Sequence, residues 1–352
     1  MNNKGTTLLI VILSILVIVA GGMLIYKIIN EKEESENVVA DYNVDINEDK
    51  DDKELVVEEK KPQIFNGNDR PIAVMIDNHS GAWPQANLNK AYLVYEIIVE
   101  GGETRLMAVF KGQDLEKIGP IRSSRHYFLD YALENDAIYV HFGWSPRAKS
   151  DISKFKINNV NGLTESSKTF WRVRDKSAPH NAVTSTKKIL DVAERKKYRT
   201  TSDKESVLNY VVDEINIEDG EEAKSIVIPY SSSYKVSYEY DEETKRYTRS
   251  YNKTVQKDWD TKEIVTTKNI IITFAKNSTL NDGSGKGRQD LSNIGTLDGY
   301  YITNGKAIKI ECSKSSRSEQ TVYKDLDGNE IEVNDGNTFI QIVPLDSKVV
   351  IE

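Results

Sequence analysis

Cysteine, histidine and strongly basic segments are all scarce in this sequence of 352 residues. The single cysteine, Cys312, excludes an intramolecular disulfide framework and the Cys clusters that hold structural zinc or iron–sulfur centres. All four histidines lie within residues 79–180, so histidine acid–base chemistry near pH 7 is expected there. A net charge of −8 without a basic domain argues against nucleic-acid binding.

Residues 8–26 form an uncharged, strongly apolar run of 19 residues between Lys4 and Lys27. At about 1.5 Å per helical residue, this run nearly crosses the roughly 30 Å hydrocarbon core of a membrane. We therefore expect residues 1–30 to form a single-pass transmembrane signal anchor. Because Ala20-Gly21-Gly22 also resembles a cleavage region, a cleaved signal peptide is the alternative.

The next segment, residues 31–61, holds 13 acidic and 5 basic residues. It has few large apolar side chains and no repeating pattern, which predicts a disordered acidic tether. A short N-terminus is expected to stay inside the cell, with the large domain on the extracytoplasmic side of the cell membrane.

Two domains of an α+β fold class are expected after the tether. Residues 62–215 alternate strand-like and helix-like patterns, which predicts an α/β-like domain with a mixed sheet and flanking helices. The expected strands are 72–77, 91–99, 104–110 and 137–142, and the expected helices are 124–134, 146–155, 185–198 and 203–213. Residues 216–352 show period-two alternation with Asn-Gly and Asp-Gly turn signals, which predicts a mainly antiparallel β domain. Within it, residues 276–296 are expected to form a long Gly-rich loop.

An Arg-Ser-Ser-Arg motif stands at the start of the first predicted helix. Arg122, Ser123 and Arg125 would place two guanidinium groups where a helix N-terminus already carries positive partial charge. This arrangement predicts the binding of a phosphate or carboxylate group. The alternative is that both arginines pair with carboxylates of residues 96–103.

Glu96 and Glu100 lie four residues apart at the end of an apolar strand, before a Gly-Gly turn and Arg105. Because residues four apart on a strand face the same side, both carboxylates are candidate catalytic groups, with Arg105 as a candidate ligand-binding residue. The alternative is a structural ion pair between these acids and the nearby arginines.

A strand-to-helix turn carries His141 and Ser145. Ligands commonly bind at such turns, so His141 is a candidate catalytic residue and Ser145 a candidate ligand-binding residue. The alternative for Ser145 is a helix N-cap followed by proline at the first helical position.

The loop of residues 172–181 is dense in polar groups and lacks apolar periodicity. We expect His180 to be catalytic and Arg174 and Asn181 to bind ligand, because loops often present functional side chains at a cleft. An ordinary turn with an exposed histidine is the alternative. No HxxxH or HExxH spacing occurs, so no metal and no cofactor are expected.

Several motifs occur in an order that resembles the YerB family. They are RPIAVMIDN, YEIIVEGGETRLMAVF, IGPIRSSRHYFLDYA, YVHFGWSP and APHN, followed by GYYITNGKAIKIECSK in the C-terminal part. The resemblance implies a Gram-positive surface protein, often a lipoprotein, with paired domains of unknown function. This sequence departs from the family in carrying an apolar anchor where many relatives have a lipid-modified cysteine.

These candidate residues are compatible with two functions. One is the binding of an anionic cell-envelope ligand, such as a cell-wall polymer, or of a membrane-bound partner in cell-wall synthesis, through the Arg/Glu/His residues of the N-terminal domain. The other is a hydrolase or transferase that acts on a phosphodiester or glycosidic bond of an envelope polymer. Binding is favoured because the sequence shows no clear nucleophile–base pair.

Overall fold

The computed structural model describes residues 61–352, and this range is mostly β-structure with three α-helices. The strands of the N-terminal part are β1 (Ile72–Asp77), β2 (Leu93–Ile98), β3 (Thr104–Phe110), β4 (Ile138–His141), β5 (Asn159–Asn161), β6 (Trp171–Arg172), β7 (Ala182–Val183) and β8 (Asn209–Val211). The helices are α1 (Phe128–Glu134), α2 (Pro146–Lys154) and α3 (Thr186–Arg195).

The strands after residue 220 are β9 (Glu221–Glu222), β10 (Ser225–Pro229), β11 (Lys235–Asp241), β12 (Arg246–Tyr251), β13 (Thr254–Val255), β14 (Thr266–Thr267), β15 (Asn269–Thr279), β16 (Gln289–Ser292), β17 (Gly295–Thr303), β18 (Lys306–Lys314), β19 (Val322–Asp325), β20 (Glu332–Asn334), β21 (Thr338–Pro344) and β22 (Val350–Ile351). The four strands expected at 72–77, 91–99, 104–110 and 137–142 agree closely in position with β1–β4, because their β-branched and aromatic side chains suit a pleated, buried surface.

A mixed sheet of 12 strands forms the centre of the molecule, in the order β19-β18-β17-β15-β21-β2-β3-β1-β4-β5, with β16 on β15 and β9 on β18. All residues of β1, β3 and β21 are buried, as expected for strands that are covered on both faces. A second, antiparallel sheet of six strands contains β10–β14 and β22.

Alternate residues of the central strands point into two cores. Val74 and Ile76 of β1 pack in a core shared with the six-stranded sheet and with α3. Ala73 and Met75 point the opposite way, into a core shared with α1 and α2. The period-two alternation of side chains along a strand accounts for this division.

The predicted division near residue 215 does not separate two sheets. Strand β2 pairs in parallel with β21, so residues 62–215 and 216–352 both contribute strands to the central sheet. A buried ion pair between Glu134 of α1 and Lys314 of β18, 2.6 Å apart, also joins the two parts. The described residues form one compact unit.

The prediction of a helix over residues 203–213 is wrong. This segment contains the short strand β8, which pairs with β20. Leu208 and Tyr210, two residues apart, are both buried, and the Tyr210 hydroxyl lies 3.1 Å from Thr338 Oγ1. Contacts with the central sheet therefore override the local helical pattern.

Residues 276–296 also differ from the expected loop. Strands β15 and β16 form a hairpin across this segment, with pairs from Lys276↔Ser292 to Thr279↔Gln289. The paired ends of β15 and β16 are mostly polar and are partly or fully exposed to solvent, so their composition resembles that of a loop. Residues 295 and 296 already belong to β17.

Within residues 61–352, no helix is long and apolar enough to span a membrane. The predicted anchor at 8–26 lies outside the described residues, as does the predicted tether up to residue 60.

Candidate functional site

Hydrogen bonds between distant segments position the candidate site at the end of β1. The Asp77 N–H donates to the Pro120 carbonyl at 2.8 Å, and the Arg122 N–H donates to the Met75 carbonyl at 2.9 Å. On the other side of this segment, the Ile121 N–H donates to the Ala182 carbonyl at 2.7 Å. These contacts bring Arg122 and the chain just before Ala182 to the C-terminal end of β1.

Asp77 contacts two of the predicted site residues, Arg122 and His180. Its side chain is 3% exposed, and Oδ2 lies 2.8 Å from His180 Nδ1 and 3.5 Å from Arg122 Nε. Its Oδ1 accepts from the His79 backbone N–H at 3.2 Å. Because a carboxylate accepts, His180 donates through Nδ1, and its Nε2 has no hydrogen-bond partner among the described residues.

A second imidazole completes this group at the surface. The rings of His79 and His180 stack with centroids 4.3 Å apart and an interplanar angle of 12°. His79 Nδ1 accepts from the Gly81 N–H at 2.9 Å, and its Nε2 lies 3.6 Å from a Glu103 carboxylate oxygen. The His79 side chain is 40% exposed. We call Asp77, His79, Glu103, Arg122 and His180 the Asp77 cluster.

The arginine cluster, which comprises Glu100, Arg105, Ser123 and Arg125, lies beside the Asp77 cluster. Arg125 binds Glu100 through two hydrogen bonds, Nε to Oε1 at 2.5 Å and Nη2 to Oε2 at 2.9 Å. Ser123 Oγ accepts from Nη1 of both Arg105 and Arg125 at 3.1 Å. Burial raises the pKa of Glu100 and the Arg125 guanidinium lowers it, with a net decrease. Burial and the nearby Arg125 lower the pKa of Arg105 to about 10.

The two clusters are neighbours because of strand pairing. Asp77 faces Arg105 across the β1–β3 ladder, and Ser123 follows Arg122 in the chain. Arg125 forms a two-hydrogen-bond ion pair with Glu100. The alternative for this arginine, pairing with a carboxylate of residues 96–103, is therefore present. Arg122 has only the Asp77 contact among the described residues, and 28% of its side chain is exposed. Among the arginines of the two clusters, Arg122 therefore has the fewest side-chain partners within the described residues.

Glu96 is not part of this surface. Its side chain is completely buried, and Oε2 lies 2.7 Å from Nη2 of the equally buried Arg249. Its Oε1 accepts from the Thr104 hydroxyl at 2.7 Å. This carboxylate therefore joins the central sheet to the six-stranded sheet. The alternative for Glu96, a structural ion pair, is present, but its partner is Arg249 and not one of the arginines that are near in sequence.

His141 and Ser145 also have structural contacts. His141 is fully buried, with Nδ1 2.8 Å from the Gly143 carbonyl and Nε2 3.3 Å from Asn159 Oδ1. Burial lowers its pKa to about 4. Ser145 Oγ accepts from the Ala148 N–H at 3.3 Å and caps α2, which was its alternative role.

The remaining candidates from the 172–181 loop do not join His180. Asn181 is buried and ties the loop together, since its Nδ2 donates to the Val173 and Lys176 carbonyls, both at 3.1 Å. Arg174 is exposed and has no ion pair with any residue between 61 and 352.

Asp77, His79 and Glu103 belong to the Asp77 cluster, but they were not among the site residues that the sequence motifs predicted. The available signal was the position of Asp77 as the last residue of a fully buried strand, where a carboxylate needs partners. Among the described residues, no group of three or more His, Cys, Asp or Glu side chains is arranged to hold a metal ion.

The chain is similar to known sequences and to a solved structure over most of its length. Residues 58–199 match the family described as "Protein of unknown function (DUF3048) N-terminal domain", and residues 226–340 match the corresponding C-terminal domain. A relative named "Putative lipoprotein YerB", from Bacillus subtilis (strain 168), is 32% identical in an alignment of 286 residues that covers 78% of this chain and 81% of the relative. The crystal structure of the Bacillus subtilis YerB protein aligns with a TM-score of 0.72 and 31% identity, covering 83% of this chain and 97% of that chain.

These matches define the class of protein as a two-part DUF3048 protein. The chain belongs to the YerB family, which confirms the resemblance carried by its motifs.

Proposed function

We propose that this protein is anchored in the cell membrane with its folded part outside the cytoplasm, where the Asp77 cluster binds an anionic group of a cell-envelope ligand. The apolar run at 8–26 supports the single-pass anchor. The word lipoprotein in the name of the Bacillus subtilis relative supports a membrane-associated location.

The observation that carries the binding proposal is the pair formed by Arg122 and His180 on Asp77. The buried carboxylate orients both side chains, while the Arg122 Nη groups and His180 Nε2 have no partner within residues 61–352. The Arg122 guanidinium can donate to a phosphate oxygen, and His180 Nε2 can accept from a hydroxyl of the same phosphate group.

The test measures thermal unfolding of the full chain, purified in detergent, with inorganic phosphate and then with teichoic-acid fragments. A ligand that binds only the folded state at about 100 times its Kd stabilises it by about 2.7 kcal/mol and raises Tm. We expect this increase in the wild type and its loss in Arg122→Ala. The matched control is Lys309→Ala, which removes one exposed positive charge from β18, on a distant part of the central sheet. Equal shifts in all three proteins would refute the proposal.

A second candidate function is hydrolysis of a phosphodiester, favoured by the Asp77–His180 pair. A histidine that donates Nδ1–H to a carboxylate can accept a proton at Nε2 from an attacking water. Arg122 would then stabilise the developing charge on phosphorus-bound oxygens. The assay is release of nitrophenol from bis(p-nitrophenyl) phosphate by the wild type and by His180→Ala. Turnover that is absent in the wild type, or unchanged in the variant, would exclude this activity for that substrate class.

A further inference from the structure

A separate polar cavity of about 320 Å³ lies between the start of α1 and the β15–β16 hairpin. Eight polar side chains line it, and six of them carry charged, imidazole or amide groups: His126, Asp130, Arg147, Asp290, Asn293 and Arg317. Arg147 and Asp290 are 44% and 36% exposed, so the cavity opens to solvent. Its size is at the lower end of the range for small-molecule sites, which is about 300–1,000 Å³.

Charges in this cavity are paired around two carboxylates. Asp290 binds His126 Nε2 at 2.8 Å through Oδ1 and Arg147 Nη1 at 2.9 Å through Oδ2. Asp130 binds Arg317 Nε at 2.6 Å through Oδ1 and accepts from Asn293 Nδ2 at 3.1 Å through Oδ2. Among the side chains that line the cavity, two aspartates and two arginines give a formal sum of zero when His126 is neutral. Arg317 Nη1 also lies 2.8 Å from Oδ2 of Asp151, which is outside the lining.

The balance of charge argues for an uncharged ligand. An anion here would be attracted by two guanidinium groups and repelled by the carboxylates that bind them, and a cation would meet the reverse. Neither gains much net attraction to offset the hydration that it loses. A neutral ligand with many hydroxyl groups meets no such penalty. Each hydroxyl donates one hydrogen bond and accepts others, which suits a wall of carboxylates and guanidinium groups.

Apolar surface is present in the same cavity. Leu291 and Ile294 line it together with the polar groups, and Ile294 is 43% exposed. The C–H face of a pyranose ring can cover such side chains while its hydroxyls reach the polar wall. Burial raises the pKa of Asp130 to about 6, although Arg317 opposes this change, so Asp130 mainly accepts hydrogen bonds at pH 7.

We propose that the cavity between α1 and the β15–β16 hairpin binds a neutral pyranose sugar. The site uses groups from both parts of the chain, since His126, Asp130 and Arg147 precede residue 215 and the other three follow it. It is distinct from the Asp77 cluster, with which it shares no residue.

The test is saturation-transfer NMR on the full chain in a detergent without a sugar head group. The probes are N-acetylglucosamine and glucose at about 10 mM, well above a Kd of 1 mM, with glucuronate and glucosamine as charged analogues. We expect saturation transfer to the neutral rings and several-fold weaker transfer to both charged analogues. This comparison uses the wild type alone, so it does not depend on the folding of a variant.

Arg147→Met tests the assignment to this cavity. Arg147 is partly exposed and pairs only with Asp290 among the described residues, so the fold is expected to survive its loss. We expect at least five-fold weaker sugar binding in this variant and unchanged binding in Lys309→Ala. Absence of transfer to both neutral sugars, a preference for a charged analogue, or equal binding in Arg147→Met would overturn the proposal.

Discussion

The ion pair between Glu96 and Arg249 gives the strongest test of how the two sheets are held together. Both side chains are completely buried, 2.7 Å apart, and Arg249 Nε has no hydrogen-bond partner among the described residues. Burial lowers the pKa of Arg249, but the adjacent Glu96 carboxylate raises it above its usual value. The arginine is therefore charged, and its removal leaves an unpaired buried carboxylate.

We expect Arg249→Met to lower the free energy of unfolding by about 3–5 kcal/mol, the usual cost of breaking a buried ion pair. The hydrogen bond from Thr104 to Glu96 at 2.7 Å remains and limits the loss. Glu96→Gln is expected to have a similar cost, because it leaves the guanidinium uncompensated. The double variant removes both charges, so its cost should be less than the sum of the single costs.

The assay is urea unfolding of the full chain in detergent, followed by the fluorescence of the four tryptophans and extrapolated to water. Lys245→Met is the control, because Lys245 and Glu214 form an ion pair at 2.5 Å with side chains that are 50% and 37% exposed. Exposed pairs contribute little to stability, so its midpoint should hardly move. Equal effects of Arg249→Met and Lys245→Met, or additive effects in the double variant, would refute the reasoning.

Three further predictions follow from single buried side chains. The Cys312 thiol is buried, and burial raises its pKa to about 12. It should therefore not react with Ellman's reagent in the folded chain but should react fully in urea. Fast labelling of the folded chain would contradict this. The pKa of His141 falls from 6.5 to about 4, so the folded chain favours the neutral ring. The contribution of neutral His141 to the free energy of unfolding is then complete above pH 6.5. It decreases, by up to about 3 kcal/mol, as the pH falls towards 4. Urea unfolding at pH 7 and 4.5 should show less loss of stability on acidification in His141→Gln than in the wild type, and equal losses would exclude this role. Ser145→Ala should cost about 1 kcal/mol through loss of the α2 cap, without changing the phosphate-dependent rise in Tm; a lost Tm response in a folded variant would instead place Ser145 in the site.

Local sequence patterns were sufficient for β1–β4 and for part of the site. Runs of β-branched and aromatic residues identified β1 and β3 with their observed ends, because a fully buried strand needs an almost continuous apolar run. The motif around Arg122 was predicted as a site because it places two guanidinium groups at the start of an expected helix. The loop around His180 was predicted because it is dense in polar groups and lacks apolar periodicity. By the same local criteria, residues 203–213 resembled a helix, since a short apolar pattern does not distinguish β8 from a helical turn.

The sequence by itself determined the position of β1–β4, the apolar N-terminal run and the family, because all three depend on the order of neighbouring residues. Only the tertiary structure decided which polar groups meet. His180 and Asp77 are 103 positions apart, and their contact depends on the chain at 118–122 pairing with both β1 and the segment near Ala182. Glu96 looked equivalent to Glu100 in the chain, yet packing of the six-stranded sheet buried it against Arg249, while Glu100 stayed near the surface. Burial and long-range pairing arise from the packing of whole sheets, and no local pattern encodes them.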